Sequence, residues 1–140
     1  MKIAIGCDHG GLLLKDVILP LLAELGHEVY DQGTDSPVSV DYPHYAKAVC
    51  HLVANEACDL GILICGTGIG MSMAANRNKK IRAALCTDMY SARMSREHNN
   101  ANVLCLGARV IGPGLAEEIV RTWLATAFAG ERHLRRIEMF

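Results

Sequence analysis

The segment Leu60-Gly-Ile-Leu-Ile-Cys-Gly-Thr-Gly-Ile-Gly70 decides the fold of this chain. Its first half, Leu60–Cys65, is an uninterrupted apolar run of strand length, which is typical of a strand covered on both faces of a parallel sheet. The glycine-rich stretch that follows leads into apolar residues of helical character that reach about Asn76. The segment therefore predicts a buried strand, a tight loop and a helix, in that order.

Apolar runs and longer amphipathic stretches alternate on both sides of this segment. Four more strands are predicted at Lys2–Gly6, Glu28–Asp31, Ile81–Cys86 and Val103–Leu106. Four more helices are predicted at Gly11–Leu25, Tyr42–Asn55, Asp88–Glu97 and Leu115–Phe128. We expect Pro20 to disturb the first of these helices, Asp41 to cap the second and Gly130 to end the last. The alternation predicts one domain over residues 1–140, a Rossmann-like three-layer α/β/α sandwich with a five-stranded parallel sheet.

The overall composition excludes several classes of protein. Hydrophobic residues make up 51% of the 140 residues, which is enough for a packed core, and the net charge is −1. A nucleic-acid-binding protein usually carries a basic excess, which is missing here. No apolar stretch approaches the ~18 residues of a membrane span, so we expect a cytoplasmic protein without a membrane partner. A charge near zero leaves little to oppose self-association.

The six cysteines do not form a recognisable metal or redox motif. No Cys-x-x-Cys pair occurs, and no His, Asp or Glu cluster has the spacing of a metal site. We therefore expect neither a metal nor another cofactor. Four of the cysteines lie in or at the ends of strand-like runs, where they are interpreted as small buried hydrophobic residues: Cys7, Cys65, Cys86 and Cys105.

The loop after the central strand is the strongest candidate for a binding site. Ligands of such folds bind at the carboxyl ends of the strands, where Gly66, Gly68, Ile69 and Gly70 are expected. Glycines let the backbone N–H groups approach a ligand, and a helix N-terminus adds positive potential, so the loop predicts an anion-binding site. That field favours a thiolate at Cys65, as a base or nucleophile, although an inert buried cysteine fits the pattern equally well.

Other polar residues have both a functional and a structural interpretation. Asp8 and His9 end the first strand, where they can bind hydroxyls or phosphate, while Asp8 can equally cap the next helix. His98 can act as an acid or base, but a lone histidine is more often structural. If the end of the chain is helical, Arg132 and Arg136 share one face and suit a phosphate clamp, together with Arg109. A solvated charged tail is the common alternative.

Four motifs together resemble one known family, the type B ribose-5-phosphate isomerases. The similarity runs from Met1 to about Glu138 and rests on Gly6-Cys-Asp-His-Gly-Gly11, Asp41-Tyr-Pro-His44, Leu63-Ile-Cys-Gly-Thr-Gly-Ile-Gly70 and Met94-Ser-Arg-Glu-His-Asn-Asn100. The resemblance implies interconversion of ribose 5-phosphate and ribulose 5-phosphate through an enediolate, a step of the pentose phosphate pathway. Cys65 is similar to the base that moves a proton between C2 and C1, and Thr67 to the residue at the reacting hydroxyls. The amides of Gly66–Gly70 would then stabilise the enediolate instead of the phosphate.

The same resemblance assigns the remaining candidates. His98 is similar to the acid or base that opens the sugar ring, and Asp8 to its partner at the ring oxygen or hydroxyls. The residues that match the phosphate-binding set are His9, Arg109, Arg132 and Arg136, with His133 in the same region. Tyr42 and Asn99 match residues that line the sugar. The family builds its site across a dimer interface, which implies a homodimer, possibly a tetramer, with the tail from about residue 130 on a neighbouring subunit.

Three alternatives remain open at this point. The substrate can be another sugar phosphate, such as allose 6-phosphate, galactose 6-phosphate or a tetrose phosphate, selected by loop 34–40. The protein can bind a sugar phosphate without catalysis, although Cys65 together with His98 argues against that. The third alternative is a redox-sensing protein that uses the Cys65 thiol. No second cysteine that could form a disulfide with Cys65 is obvious nearby in the sequence.

Overall fold

A computed structural model describes residues 1–140 and contains one parallel sheet flanked by helices. The strands are β1 (Lys2–Cys7), β2 (Glu28–Asp31), β3 (Leu60–Cys65), β4 (Ala83–Leu85) and β5 (Val103–Gly107). The helices are α1 (Leu12–Glu24), α2 (Tyr42–Ala54), α3 (Ile69–Ala75), α4 (Met89–Glu97), α5 (Pro113–Ala125) and α6 (Glu131–Ile137). The predicted five-stranded α/β fold is confirmed.

The strand order of the sheet is β2-β1-β3-β5-β4, and every neighbouring pair is parallel. All residues of the central strand β3 are buried, as its apolar sequence predicts. In the register of the sheet, Cys7 lies beside Ile64 and Cys65 beside Gly107, so β1, β3 and β5 end at nearly the same level. The chain leaves β1 and β3 in opposite directions along the sheet, which opens a crevice at their carboxyl ends.

Two apolar cores cover the two faces of the sheet. The larger one contains 20 buried residues and packs α1, α4 and α5 on one face, with Trp123 as its largest side chain. The smaller one contains 13 buried residues and packs α2 and α3 on the other face. This gives the three layers that the sequence predicts. No helix in the molecule combines the length and apolar character of a membrane span.

Strand β4 is short and lies at one edge of the sheet, where the side chain of Asn76 forms hydrogen bonds with its backbone. The side-chain amide of Asn76 donates to the carbonyl of Ala83 at 2.9 Å and accepts from its N–H at 2.9 Å. A single side chain thus makes the pair of hydrogen bonds that a further strand would make with Ala83.

Several predicted boundaries and helix signals differ from the structure. Strand β4 covers only Ala83–Leu85, because Ile81 turns back in a hydrogen bond to Asn78. Helix α5 ends at Ala125 instead of Phe128, and Gly130, with a φ of 69°, precedes α6 instead of ending α5. Asp41 stands at the N-cap position of α2 without a side-chain cap hydrogen bond. Helix α1 continues through the exposed Pro20.

Candidate active site

Cys65 ends β3 and its side chain turns back onto the glycine-rich loop. The Gly68 N–H donates to Cys65 Sγ over 3.1 Å, and the side chain is buried. An N–H donor at sulfur stabilises negative charge that develops there. The sulfur is therefore fixed at the carboxyl end of the central strand, inside the crevice where ligands of this architecture bind.

The path of the loop depends on glycines at two positions. Gly68 has a φ of 77°, and a Cβ there would lie 2.5 Å from Leu85 Cδ1. At the end of β5, a Cβ on Gly107 would lie 2.6 Å from the Thr67 carbonyl oxygen. A side chain at either position would displace the loop from the sheet, so both glycines hold Thr67 and its neighbours in place.

Two backbone amides of the loop are available to a ligand. The N–H groups of Gly66 and Thr67 donate to no acceptor within the chain, whereas the Ile69 N–H donates to Thr67 Oγ1 over 3.3 Å. A Cβ on Gly10 would lie 3.1 Å from the Gly66 nitrogen, so glycine at position 10 keeps that amide uncovered. The loop thus offers two free N–H donors next to Cys65, which is what the predicted anion-binding site requires.

Asp8 follows β1 and is buried beside the same loop. Its Oδ1 accepts hydrogen bonds from the N–H groups of Gly10, at 2.9 Å, and Gly11, at 3.1 Å. The structural interpretation of Asp8 as a cap of α1 is wrong, because Gly11 is the N-cap residue of this helix and no side chain caps it; Asp8 closes the turn that precedes the helix. Its Oδ2 has no partner within the chain and stays available to a ligand.

His9 and Arg109 line one cleft of about 530 Å³ between α1 and the loop that follows β5. The Arg109 N–H donates to the Gly66 carbonyl over 2.9 Å, and its side chain lies against Gly66. His9 Nδ1 accepts a hydrogen bond from the Val40 N–H over 3.2 Å. In the neutral ring, the proton then lies on Nε2, so His9 and Arg109 are two donors suited to an anion.

Tyr42 closes the opposite side of the loop. An ideal Cβ on Gly70 would lie 2.7 Å from Tyr42 Cζ and 3.1 Å from its hydroxyl oxygen, so the ring rests directly on Gly70. The tyrosine starts α2 and is 38% exposed. This contact explains why position 70 is a glycine and brings Tyr42 into the group around Cys65.

Five predicted site residues lie at the other end of the sheet: His98, Asn99, Arg132, His133 and Arg136. Helix α4 starts after the carboxyl end of β4 and returns to the amino end of β5, so its nine residues span about 13 Å between the two edges. His98 is its C-cap residue. Within one chain, the structure does not bring these five residues to Cys65.

Four of the five residues lie together around α6, and the fifth, Asn99, follows His98 in the chain. The rings of His98 and His133 stack with centroids 4.2 Å apart and an interplanar angle of 6°. Arg132 Nε contacts His133 Nε2 over 3.4 Å, and the Ala129 N–H donates to the Glu97 carbonyl over 3.0 Å. Burial lowers the pKa of His133, and the charges of His98 and the neighbouring arginines lower it further.

The conditional prediction that Arg132 and Arg136 share a helical face is confirmed. Both residues lie on α6, one turn apart, and both are exposed. They have no acidic partner within the chain. Two free guanidinium groups on one face are suited to a phosphate, which accepts bidentate hydrogen bonds.

The other five cysteines are packing residues, as predicted above for Cys7, Cys86 and Cys105. Burial raises the pKa of each thiol, to about 11 for Cys7, Cys50 and Cys86. Burial also raises the pKa of Cys58, and that of Cys105 most of all. These groups are neutral thiols at physiological pH, and all six cysteines are free. No group of three or more His, Cys, Asp or Glu side chains could hold a metal ion.

The sequence indicated Gly10 only as part of the first motif and Val40 only as the end of loop 34–40, and it did not indicate Gly107, although all three touch this group. Gly10 and Gly107 are adjacent in space to the glycine-rich loop but distant from it along the chain. Val40 acts through its backbone N–H, which no side-chain pattern reveals. Gly107 alone could have been identified from the sequence, because it follows an apolar strand-like run, as Gly66 does.

Comparisons with known proteins agree with this geometry. The model of the Ribose/Galactose Isomerase family matches residues 3–140. Ribose-5-phosphate isomerase B of Escherichia coli is 53% identical over 137 residues, 98% of this chain and 92% of that protein. The structure of ribose-5-phosphate isomerase B from Clostridium thermocellum superimposes with a TM-score of 0.98, at 54% identity, covering 99% of this chain and 94% of the other.

A further relative carries a different name. D-erythrulose-4-phosphate isomerase of Pectobacterium atrosepticum is 43% identical over 142 residues, 99% of this chain and 91% of that protein. The match of the family model and these relatives extends over the fold, the glycine-rich loop and both clusters of polar residues. This chain belongs to the ribose/galactose isomerase family.

Proposed function

We propose that this protein interconverts ribose 5-phosphate and ribulose 5-phosphate through an enediolate intermediate. The observation that carries the proposal is the placement of Cys65 Sγ beside two free backbone amides, next to the cleft of His9 and Arg109. A base, donors for a developing oxyanion and donors for a phosphate are the groups that such a reaction requires. Relatives at 53% and 54% identity carry the name of this activity.

In the proposed reaction, Cys65 moves one proton between neighbouring carbons. Its thiolate removes the proton from C2 of the open-chain aldose, and the bonding electrons move through C1 to O1, which forms the enediolate. The same sulfur then returns the proton to C1, while the proton of the O2 hydroxyl is transferred to O1, so that O2 becomes the ketone oxygen and O1 a hydroxyl. The amides of Gly66 and Thr67 donate to the negative oxygens, and the Thr67 hydroxyl bonds the reacting hydroxyls. Loss of one such donor typically lowers turnover by ~10²–10³.

The phosphate of the substrate is proposed to lie between His9 and Arg109. The Nε2–H of His9 and the guanidinium of Arg109 are donors on two walls of one cleft. A fixed phosphate sets the position of C1 and C2 relative to Cys65 and lowers the entropic cost of the reaction.

We propose that the complete site contains residues of two copies of the chain. Apolar side chains that are 36–69% exposed surround the entrance of the glycine-rich loop, namely Tyr42, Ile69, Met73, Leu85, Met89 and Tyr90. A second copy would cover this surface and supply His98 for ring opening, Asn99 for the sugar, and Arg132 and Arg136, with His133 beside them, for the phosphate. A homodimer with two such sites follows from two-fold symmetry. The sugar-phosphate substrate is consistent with a cytoplasmic enzyme.

A tetrose phosphate is the second candidate substrate. The observation that favours it is the 43% identity to a D-erythrulose-4-phosphate isomerase, which covers 99% of this chain. The exposed residues 37–39 of the loop between β2 and α2 lie near His9. Side chains there would contact the phosphate end of the substrate and so select for its length. A shorter sugar would keep the reacting carbons at Cys65 only if its phosphate lay closer to Cys65 than the phosphate of ribose 5-phosphate does.

The test is isomerisation in D₂O in the presence of a chelator, followed by NMR at C1 and C2. Ribulose 5-phosphate that contains solvent deuterium is the expected product of wild type. The Cys65→Ala variant is the matched control, because it removes the base and leaves the His9–Arg109 cleft unchanged. Deuterium exchange by Cys65→Ala at the wild-type rate would exclude Cys65 as the base. Faster turnover of a tetrose 4-phosphate than of ribose 5-phosphate would support the second candidate.

A further inference from the structure

Lys15 is a buried charge that the proposed reaction does not use. The residue lies on α1 and is 1% exposed. Its ammonium group contacts Asp31 Oδ2 at 2.8 Å, Asp35 Oδ1 at 2.8 Å and the Thr34 carbonyl at 3.0 Å. Burial of an ammonium group is costly, so an arrangement with three acceptors calls for a structural or functional reason.

The ammonium group remains charged in this environment. Burial lowers the pKa of Lys15, but the hydrogen bonds to Asp31 and Asp35 raise it by more, and the net pKa lies above its ordinary value. All three acceptors belong to the end of β2 and the first residues of the loop that leads to α2. A permanent charge on α1 therefore holds the start of this loop.

The loop 32–41 is attached to the sheet at its start and near its end. At the start, the Thr34 N–H donates to the Cys7 carbonyl over 3.1 Å, next to the Lys15 contacts. A Cβ on Gly33 would lie 2.9 Å from the Cys7 nitrogen and 3.1 Å from Lys15 Cδ. The backbone at Gly33 therefore packs directly against the Lys15 side chain. Near the end, the Val40 N–H donates to His9 Nδ1. Residues 37–39 between these attachments are exposed.

We propose that Lys15 is a positioning residue for phosphate binding, which acts by holding loop 32–41 so that the Val40 N–H keeps His9 in its Nε2–H tautomer. With the loop fixed, Nε2–H is a donor in the cleft shared with Arg109. Without it, the two neutral tautomers of His9 are close in energy, and the donor in the cleft is present for part of the time. The inference rests on the proposed function in that the cleft holds the substrate phosphate.

The experiment compares wild type with Lys15→Met, which keeps the length of the side chain and removes its charge. Long-range ¹H–¹⁵N spectra of His9 report the tautomer, and titration with inorganic phosphate reports the cleft without any turnover. In Lys15→Met we expect His9 nitrogen shifts that move toward a mixture of tautomers. We expect the Kd of phosphate and the KM of ribose 5-phosphate to rise roughly tenfold, as for one lost hydrogen bond, with kcat changed by less than about threefold.

Two further variants make the result specific. Arg121→Met removes an ion pair with Glu24, whose atoms lie 3.1 Å apart on the surface, and should change neither reading. Asp35→Asn weakens the Lys15 cluster at its exposed end and should shift both readings in the same direction by a smaller amount. It also carries the test if Lys15→Met does not fold.

Unchanged His9 shifts and an unchanged Kd of phosphate in the folded variants would overturn the inference. Failure of the proposed function would look different, because wild type would then not convert ribose 5-phosphate, while the tautomer and the phosphate titration would still report on Lys15. A rise in KM without any change at His9 would also count against it, since the lysine would then act by another route.

Discussion

The residue scale separates one cysteine from the other five. All six are buried, but Cys65 alone combines a position at the carboxyl edge of the sheet with an N–H donor at its sulfur. Burial holds the pKa of Cys7, Cys50 and Cys86 at about 11 and raises that of the remaining two as well. Chemical identity is the same in each case, and the surroundings decide which sulfur can do chemistry.

This difference predicts selective alkylation. At pH 8, a thiol with a pKa of about 11 is a thiolate in only about 0.1% of molecules, and iodoacetamide reacts with the thiolate. We expect a first modification at Cys65, located by peptide mass spectrometry, with loss of isomerase activity in parallel. Saturating phosphate or ribose 5-phosphate should slow the reaction. Initial modification of Cys7, Cys50 or Cys86 in the folded protein would contradict the assignment.

At the scale of elements, α4 and α6 act as one unit. The Arg96 guanidinium lies over the Trp123 ring, 5.2 Å from its centroid, and donates to the carbonyls of Ala101 and Thr126. Ala101 follows the turn that carries His98, and Thr126 starts the linker to α6. One half-buried side chain therefore connects the turn that carries His98 with the linker to the helix of the two candidate phosphate arginines.

Replacement of Arg96 by methionine tests this connection. Two backbone carbonyls lose a charged donor, so we expect the free energy of unfolding to fall by about 2–3 kcal/mol. The apolar part of methionine keeps some of the contact with Trp123. Arg93→Met, at an exposed position of the same helix, should change stability by less than about 0.5 kcal/mol. Denaturant titration at one protein concentration gives both values, and equal values for the two variants would show that Arg96 is not the connection.

At the scale of the whole molecule, the sequence predicts the central strand and its loop, whereas the structure is needed for the ends of other elements and for the distance between the two groups of site residues. The strand β3 and its loop were predictable because an all-apolar run followed by glycines has few other folds. The start of β4 and the end of α5 were not. The first depends on a turn in which the Ile81 N–H donates to the Asn78 carbonyl, and the second is followed by a linker whose Ala129 N–H donates to the Glu97 carbonyl. The roles of Cys65 and His98 came from family resemblance, while their separation across α4 became visible only in three dimensions.

That separation makes a prediction about pairs of subunits. A Cys65→Ala chain and a His98→Ala chain should each form dimers with little activity, because every site lacks one group. After mixed refolding, half of the dimers contain both chains, and each of these has one intact site of two. We therefore expect recovery of about a quarter of wild-type activity. Mixtures that stay as inactive as the single variants would indicate that both residues act within one chain.

The edge of the sheet explains why such association should stop at a defined assembly. The amide of Asn76 occupies the hydrogen-bonding positions of Ala83 that an incoming strand would need. An open edge is the usual starting point for fibrous aggregates, which grow as strands of successive molecules line up. The amide nitrogen and oxygen of Asn76 already pair with Ala83, so another strand cannot form hydrogen bonds at this residue. The association of two copies proposed above would therefore not extend through the hydrogen-bonding groups of Ala83.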